Sequence, residues 1–388
     1  MMEIFQEAAS GITNQYITDW VNNGKRVVGY TCSFMPPEIF HAAGILPYRI
    51  RGINTESMEI GDTYYGPYVC TFPKCLLQLA GEGKFNFLSG AVISTGCDAM
   101  RRLDECWRKT GEDYQGSLPD FFHYFDVPHK TDPHAMKWFE NEIGKLILNV
   151  EKYYHVKITE ANLRESISLY NHGRTLLWEI EKLRSHENLR ISGTDAFSIA
   201  VAGTVMPREI FNEKLEQLLS KLSKKKTDSK NGSKRIMVAG SINDDIELIR
   251  LIENAGSTVV ADNICFGIRS EADQVNMEDE PISALTKHYL SNSVCPRMFG
   301  AYKQRFDLLK TKIERAGVAG IILQNIRFCD LHGSENGLFE RDFEKLGIPC
   351  LRLEREYGPL TETGRMKMRI EAFLERMEVK QTDSGGKS

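Results

Sequence analysis

Gly90-Ala91-Val92-Ile93-Ser94-Thr95-Gly96-Cys97-Asp98 reads as a short apolar strand that runs into a turn carrying Cys97 and Asp98. The pattern returns at Gly320-Ile321-Ile322-Leu323-Gln324-Asn325-Ile326-Arg327-Phe328-Cys329-Asp330, again an apolar run followed by Cys-Asp. Uninterrupted apolar runs of this length suit parallel strands buried on both faces. In open α/β sheets, ligands bind beyond the carboxyl ends of the strands. Two Cys-Asp turns at two strand ends are therefore candidates for one site shared by two halves.

The flanking segments repeat as well. Arg26-Val27-Val28-Gly29-Tyr30 is a strand leading to Ser33, and Arg235-Ile236-Met237-Val238-Ala239-Gly240 is a strand leading to Ser241. Each is followed by a helical stretch, which Pro36-Pro37-Glu38 opens in the first half by suiting a first turn and its dipole. Ala43-Gly44 and Ala255-Gly256 stop these helices, and a further strand follows each, Ile45–Ile50 and Ser257–Ala261. The reading is an α/β protein with two related, doubly wound parallel-sheet domains that arose by duplication. Boundaries fall at 1–134 for the first domain, 135–222 for a helical insert packing across both sheets, 223–234 for a linker and 235–388 for the second domain. Residues 1–24 look helical, Glu354, Glu356 and Tyr357 are read as salt-bridge residues, His41 as structural, and the tail from Gln381 as disordered in composition.

The 388 residues suffice for two or three domains. With 41% hydrophobic and 26% charged residues the composition is that of a soluble globular protein, and a net charge of −4 argues against a nucleic-acid surface. No apolar run reaches membrane-spanning length, and the N-terminus lacks signal-peptide character, so the expectation is a cytoplasmic protein. Dinucleotide-binding, P-loop and nucleophile-elbow motifs are absent.

Nine cysteines without a signal peptide do not suggest a disulfide framework, and no C-x-x-C occurs. A metal site would have to be assembled from distant segments. Cys97 and Cys329 follow strands. Cys70 sits in an aromatic loop before a helix, where amide N–H groups favour a thiolate. Three thiolates would leave a metal position open. Cys75 and Cys295 are rivals of Cys70 as third ligand, while Cys32, Cys106, Cys265 and Cys350 read as core or strand-edge residues.

Ser33-Phe34-Met35-Pro36-Pro37-Glu38-Ile39-Phe40-His41-Ala42-Ala43-Gly44-Ile45-Leu46-Pro47 and Tyr68-Val69-Cys70-Thr71-Phe72-Pro73-Lys74 carry a resemblance. So do Cys97-Asp98, Phe328-Cys329-Asp330, Gly347-Ile348-Pro349-Cys350-Leu351 and Arg369-Ile370-Glu371-Ala372-Phe373-Leu374-Glu375. In this order the chain resembles the 2-hydroxyacyl-CoA dehydratase and benzoyl-CoA reductase family, specifically its shorter iron–sulfur subunits. Gly364-Arg365-Met366-Lys367-Met368-Arg369 departs from the family's pattern by lacking a glutamine and a threonine.

The resemblance implies a [4Fe-4S] cluster held by Cys70, Cys97 and Cys329, with Ser33 near the substrate or the open iron. It implies a related larger iron–sulfur subunit as partner, an ATP-hydrolysing iron–sulfur activator that delivers a low-potential electron, an acyl-CoA substrate and anaerobic chemistry. The reaction would be dehydration of a 2-hydroxyacyl-CoA or reduction of an aryl-CoA ring. The alternative within the family is a cluster-bearing relay or scaffold subunit with no substrate site of its own.

Overall fold

The computed structural model describes all residues except 187–188, 225–232, 268–272, 292–294, 359, 361 and 386–388, and the backbone alone over 379–385. The first half runs α1 (Met2–Ser10), α2 (Gln15–Asn22), β1 (Val27–Tyr30), α3 (Glu38–Ala42), β2 (Leu46–Arg49), α4 (Glu59–Tyr64), α5 (Thr71–Gly81), β3 (Gly90–Ser94), α6 (Asp98–Asp113) and β4 (Phe121–Phe125). Helices α7 (Pro133–Tyr154), α8 (Glu160–Ser185), α9 (Gly193–Ala202) and α10 (Arg208–Leu222) follow. The second half is β5 (Lys234–Gly240), α11 (Ile246–Asn254), β6 (Ser257–Asn263), α12 (Pro281–Ser291), α13 (Tyr302–Ala316), β7 (Gly320–Ile326), α14 (Asp330–Lys345), β8 (Cys350–Arg355) and α15 (Thr363–Gly385).

The deciding stretch forms β3, buried at all five residues and paired in parallel with β1 and β4. The first sheet has the order β2-β1-β3-β4 and the second β6-β5-β7-β8, every pairing parallel. The two halves thus share one winding, as the repeated sequence block implies. In each sheet the chain reverses its direction of winding between the two central strands, which opens a crevice at their carboxyl ends.

The expected helix stops are in place. Gly44 and Gly256 follow α3 and α11 with φ of 70° and 100°, backbone that only glycine adopts without strain. The N-terminal stretch differs from one continuous helix. It breaks at Gly11, and the Asn14 side chain then caps α2 by accepting from the Ile17 N–H at 3.0 Å. The helical segment packs on both sheets, as its apolar faces predict. Ile143, Leu146 and Val150 join Val28, Val92 and Phe125 in one core, and Leu177, Phe197 and Phe211 join Ile236 and Val238 in another. Most of the expected linker lies outside the described residues. At the other end α15 continues to Gly385, beyond the start of the tail read as disordered.

Buried ion pairs bind the two halves together. Arg51, directly after β2, is fully buried and donates from Nε to Asp244 Oδ2 at 2.8 Å, across to the segment after β5. Tyr357, after β8, donates its hydroxyl to Asp244 Oδ1 at 2.7 Å and accepts from the Gly52 N–H at 2.9 Å. Glu38, read as a helix-dipole acid, is completely buried and pairs with Arg174 of α8 at 2.7 Å, while Tyr289 of α12 donates to its other oxygen. Burial pushes the Glu38 carboxyl up, and the Arg174 guanidinium more than reverses this, holding it below the usual carboxylate range.

Candidate metal centre between the two sheets

The turns after β1 and β3 in one half and after β5 and β7 in the other face each other across a cavity of about 150 Å³. Its wall takes Cys32 and Ser33 from the first turn and Cys97 from the second, with Ile242 and Cys329 from the opposite half. Cys70, Cys265 and Cys295 complete a lining of six cysteines, three from each half. About ten water-sized volumes fit such a space. It suits a compact group, and a whole coenzyme A thioester would exceed it.

Cys70, Cys97 and Cys329 share a local setting. Each is the residue immediately before a helix, respectively α5, α6 and α14. Burial dominates their titration. It pushes Cys70 well above the usual thiol value, Cys97 to about 12 and Cys329 upward as well, and the neighbouring thiols add to the rise. The backbone N–H groups of Phe72, Met100 and His332 face the three sulfurs and work the other way, favouring the charged form. Cys70 feels Cys97 and Cys329, and Cys97 feels Cys329, Cys295 and Cys32, so the group is mutually close. Thiols held protonated at neutral pH make poor nucleophiles. They become ligands when a cation displaces the proton.

The remaining cysteines divide differently from the sequence reading. Cys32 and Cys265, read as core or strand-edge residues, line the cavity. The turns that carry them fold back over the carboxyl ends of the strands. Cys295 lines it too, although it sits in a turn ahead of α13 rather than directly before a helix as Cys70 does. Cys75 is buried in the core with its thiol toward the Tyr357 carbonyl at 3.8 Å, away from the cavity. Cys106 and Cys350 likewise point to backbone carbonyls, of Tyr64 at 3.9 Å and Ile348 at 3.7 Å, and act as small hydrophobes.

Hydrogen bonds that the sequence did not signal position the site. Thr71, beside Cys70, accepts from the Tyr357 N–H at 2.7 Å and donates to Glu356 Oε2 at 3.1 Å, which ties the first turn of α5 to the second half. Glu356 and Tyr357, read as salt-bridge residues, thus make hydrogen bonds that anchor the Cys70 turn. Ser33 Oγ accepts from Arg49 Nη1 at 3.0 Å and donates to the Cys265 carbonyl at 3.3 Å. Ser241, its counterpart in the second half, holds the end of β7, accepting from the Ile326 N–H at 3.1 Å and donating to Asn325 Oδ1 at 3.0 Å, and its hydroxyl lies beside Cys329, where it favours the thiolate. His41 bonds Ser166 and Glu209, each at 3.0 Å, a structural role as read.

Among the described residues, no three His, Cys, Asp or Glu side chains converge closely enough to hold a single metal ion. A polynuclear iron–sulfur group spaces its thiolates more widely than one ion does, and a largely apolar cavity lined by soft donors matches that chemistry.

A profile of the family described as "2-hydroxyglutaryl-CoA dehydratase, D-component" matches residues 32–377. The chain belongs to that family. All six cavity cysteines lie within the matched span. A benzoyl-CoA reductase subunit of Thauera aromatica is 27% identical over 313 residues, 79% of either chain. The (R)-phenyllactyl-CoA dehydratase beta subunit of Clostridium sporogenes is 24% identical over 355 residues, 91% of this chain and 92% of the relative. The beta subunit of (R)-2-hydroxyglutaryl-CoA dehydratase from Acidaminococcus fermentans is 21% identical over 382 residues, 97% and 99% of the two chains. The family is one of enzyme subunits, and the resemblance read from the sequence is borne out. No helix among the described residues is long and apolar enough to cross a membrane.

Proposed function

We propose that this chain is the shorter iron–sulfur subunit of a radical-type 2-hydroxyacyl-CoA dehydratase or benzoyl-CoA reductase, holding a [4Fe-4S] cluster through Cys70, Cys97 and Cys329. The observation that carries the reading is the convergence of these three cysteines, each at the start of a helix, on one cavity between the sheets. When bound, such a cluster supplies one-electron chemistry at low potential to a thioester carbonyl.

The chain's own residues prepare the place. Helix N-termini offset thiolate charge at the three cysteines. Phe34, Phe72, Met100, Ile326 and Leu331 give the cavity much of its apolar wall. Ser33, fixed by Arg49, offers a hydroxyl on the wall beside the thiols, where it would meet the substrate or the open side of the cluster. The electron would come from a separate ATP-hydrolysing iron–sulfur activator in the cytoplasm, and a related larger subunit would complete the enzyme. The relatives' names, each of which denotes one subunit of an enzyme, support such a partner.

A second reading rests on the lining itself. Six thiols face the cavity, twice the number that one cluster with three ligands uses. A larger iron–sulfur assembly held by Cys32, Cys265 and Cys295 as well would use them all.

Iron and acid-labile sulfide, measured on the full chain purified without oxygen, test both readings. About four of each per chain, lost in Cys70→Ala, Cys97→Ala and Cys329→Ala but kept in Cys106→Ala and Cys350→Ala, is the expected result. Iron above four, falling in Cys265→Ala and Cys295→Ala too, favours the second reading. A colourless, iron-free protein overturns both.

A further inference from the structure

Two buried arginines flank the thiol cavity. Arg49, at the end of β2, is 3% exposed and forms part of the wall. Its Nη1 donates to Ser33, its Nη2 lies 4.0 Å from Cys265 Sγ, and its guanidinium sits over Phe266 at 4.6 Å. Arg297 is also 3% exposed. It donates to the carbonyls of Pro128 at 2.8 Å and Val127 at 2.7 Å and lies 5.0 Å over Phe34. It stands behind Phe34, which lines the cavity, and two residues after Cys295, which lines it too.

Of the six other buried arginines among the described residues, four meet a carboxylate: Arg51 with Asp244, Arg174 with Glu38, Arg184 with Asp262 and Arg305 with Glu335; Arg355 donates to amide and carbonyl oxygens instead, and Arg208 packs over Tyr170. Among the described residues, Arg49 and Arg297 have no carboxylate within ion-pair distance, and the Nε of each has no hydrogen-bond partner. A guanidinium does not shed its proton in a protein. A buried charge without a counter-ion is costly, and an anionic group entering the cavity would offset that cost.

We propose that Arg49 and Arg297 are fixed counter-charges for an anionic iron–sulfur group in the thiol cavity, and that they set its reduction potential. The inference rests on the cluster reading above. Asp273 also lines the cavity, and cysteines ligated as thiolates would add negative charge beside Arg49, which shares the wall with Cys265. An electron added to such a group would be stabilised by both cations, since Coulomb attraction is less screened in a protein interior than in water. Removing one cation makes the reduced state harder to reach.

The test is a mediated redox titration of the anaerobically purified full chain, followed in the visible spectrum, with Arg49→Gln, Arg49→Lys and Arg297→Gln. Arg49→Gln and Arg297→Gln should keep their iron and lower the reduced-to-oxidised ratio at a fixed potential about tenfold, or about 59 mV for one electron. Arg49→Lys, which restores the charge, should titrate close to the parent. Loss of iron in Arg49→Gln with retention in Arg49→Lys would support the same role at the stage of assembly. Unchanged midpoints in iron-loaded glutamine variants would overturn the inference alone. So would equal iron loss in Arg49→Gln and Arg49→Lys, which marks a purely structural arginine. An iron-free parent chain would overturn the cluster reading together with it.

Discussion

Tyr357 shows how one side chain serves both fold and site. Its hydroxyl satisfies Asp244 and the Gly52 N–H, and its backbone N–H fixes Thr71 beside Cys70. Tyr357→Phe removes the hydroxyl and leaves a buried donor and part of a buried carboxylate without it, a cost of about 1–3 kcal/mol. Urea unfolding should show a lower midpoint with an unchanged slope. Two histidines act through their protons. Burial pushes His288 down to about 3, with Arg174 adding to it, and pushes His123 down to about 4, with Lys145 adding to it. The unfolded imidazoles take up protons near 6.5, whereas the folded ones stay neutral well below that. Stability is therefore fully present above about pH 6.5 and declines as pH falls toward about 4, by up to about 1.4 kcal/mol per histidine per pH unit. His288→Gln and His123→Gln should each flatten the dependence of the unfolding midpoint on pH between about 6.5 and about 4. Curves parallel to the parent's would refute that attribution.

At the scale of elements, the close approach of β5 to β7 depends on Gly240. Its φ is 122°, and a Cβ there would stand 1.9 Å from the Gln324 carbonyl oxygen. Gly240→Ala must therefore displace the end of β7 and the Cys329 turn beyond it, at a cost well over about 1 kcal/mol. Thermal unfolding checks the stability loss, and the iron content checks the displacement of Cys329. The start of α2 offers a milder case. Asn14→Ala removes the cap on the Ile17 N–H and should cost about 1 kcal/mol, with iron content unaffected because α2 lies away from the cavity.

Across the whole molecule, the two halves are pinned by Arg51 and Asp244, both side chains fully buried. Breaking this pair by Arg51→Met leaves the Asp244 carboxylate uncompensated and should cost about 3–5 kcal/mol. Since the cavity takes cysteines from both halves, the variant should also bind iron less well than its residual folded fraction would allow. A fully iron-loaded Arg51→Met protein with parental stability would show that the halves hold together without the pair.

The sequence by itself determined the parallel α/β architecture, its duplication, the helix stops at Gly44 and Gly256 and the two Cys-Asp turns. These features are local. Strand burial is written in uninterrupted apolar runs, a left-handed stop needs glycine in place, and a ligand turn needs its residue at the strand end. Tertiary structure alone decided which cysteines share a space. Cys32 and Cys265 carry the same local signature as core cysteines, and only the folding of their turns across the sheet ends brings them to the cavity. It also decided the partners of Arg51, Glu38 and Tyr357, which lie 193, 136 and 113 positions away along the chain. No periodicity encodes such contacts, because they arise from how the finished sheets and helices stack rather than from how each one forms.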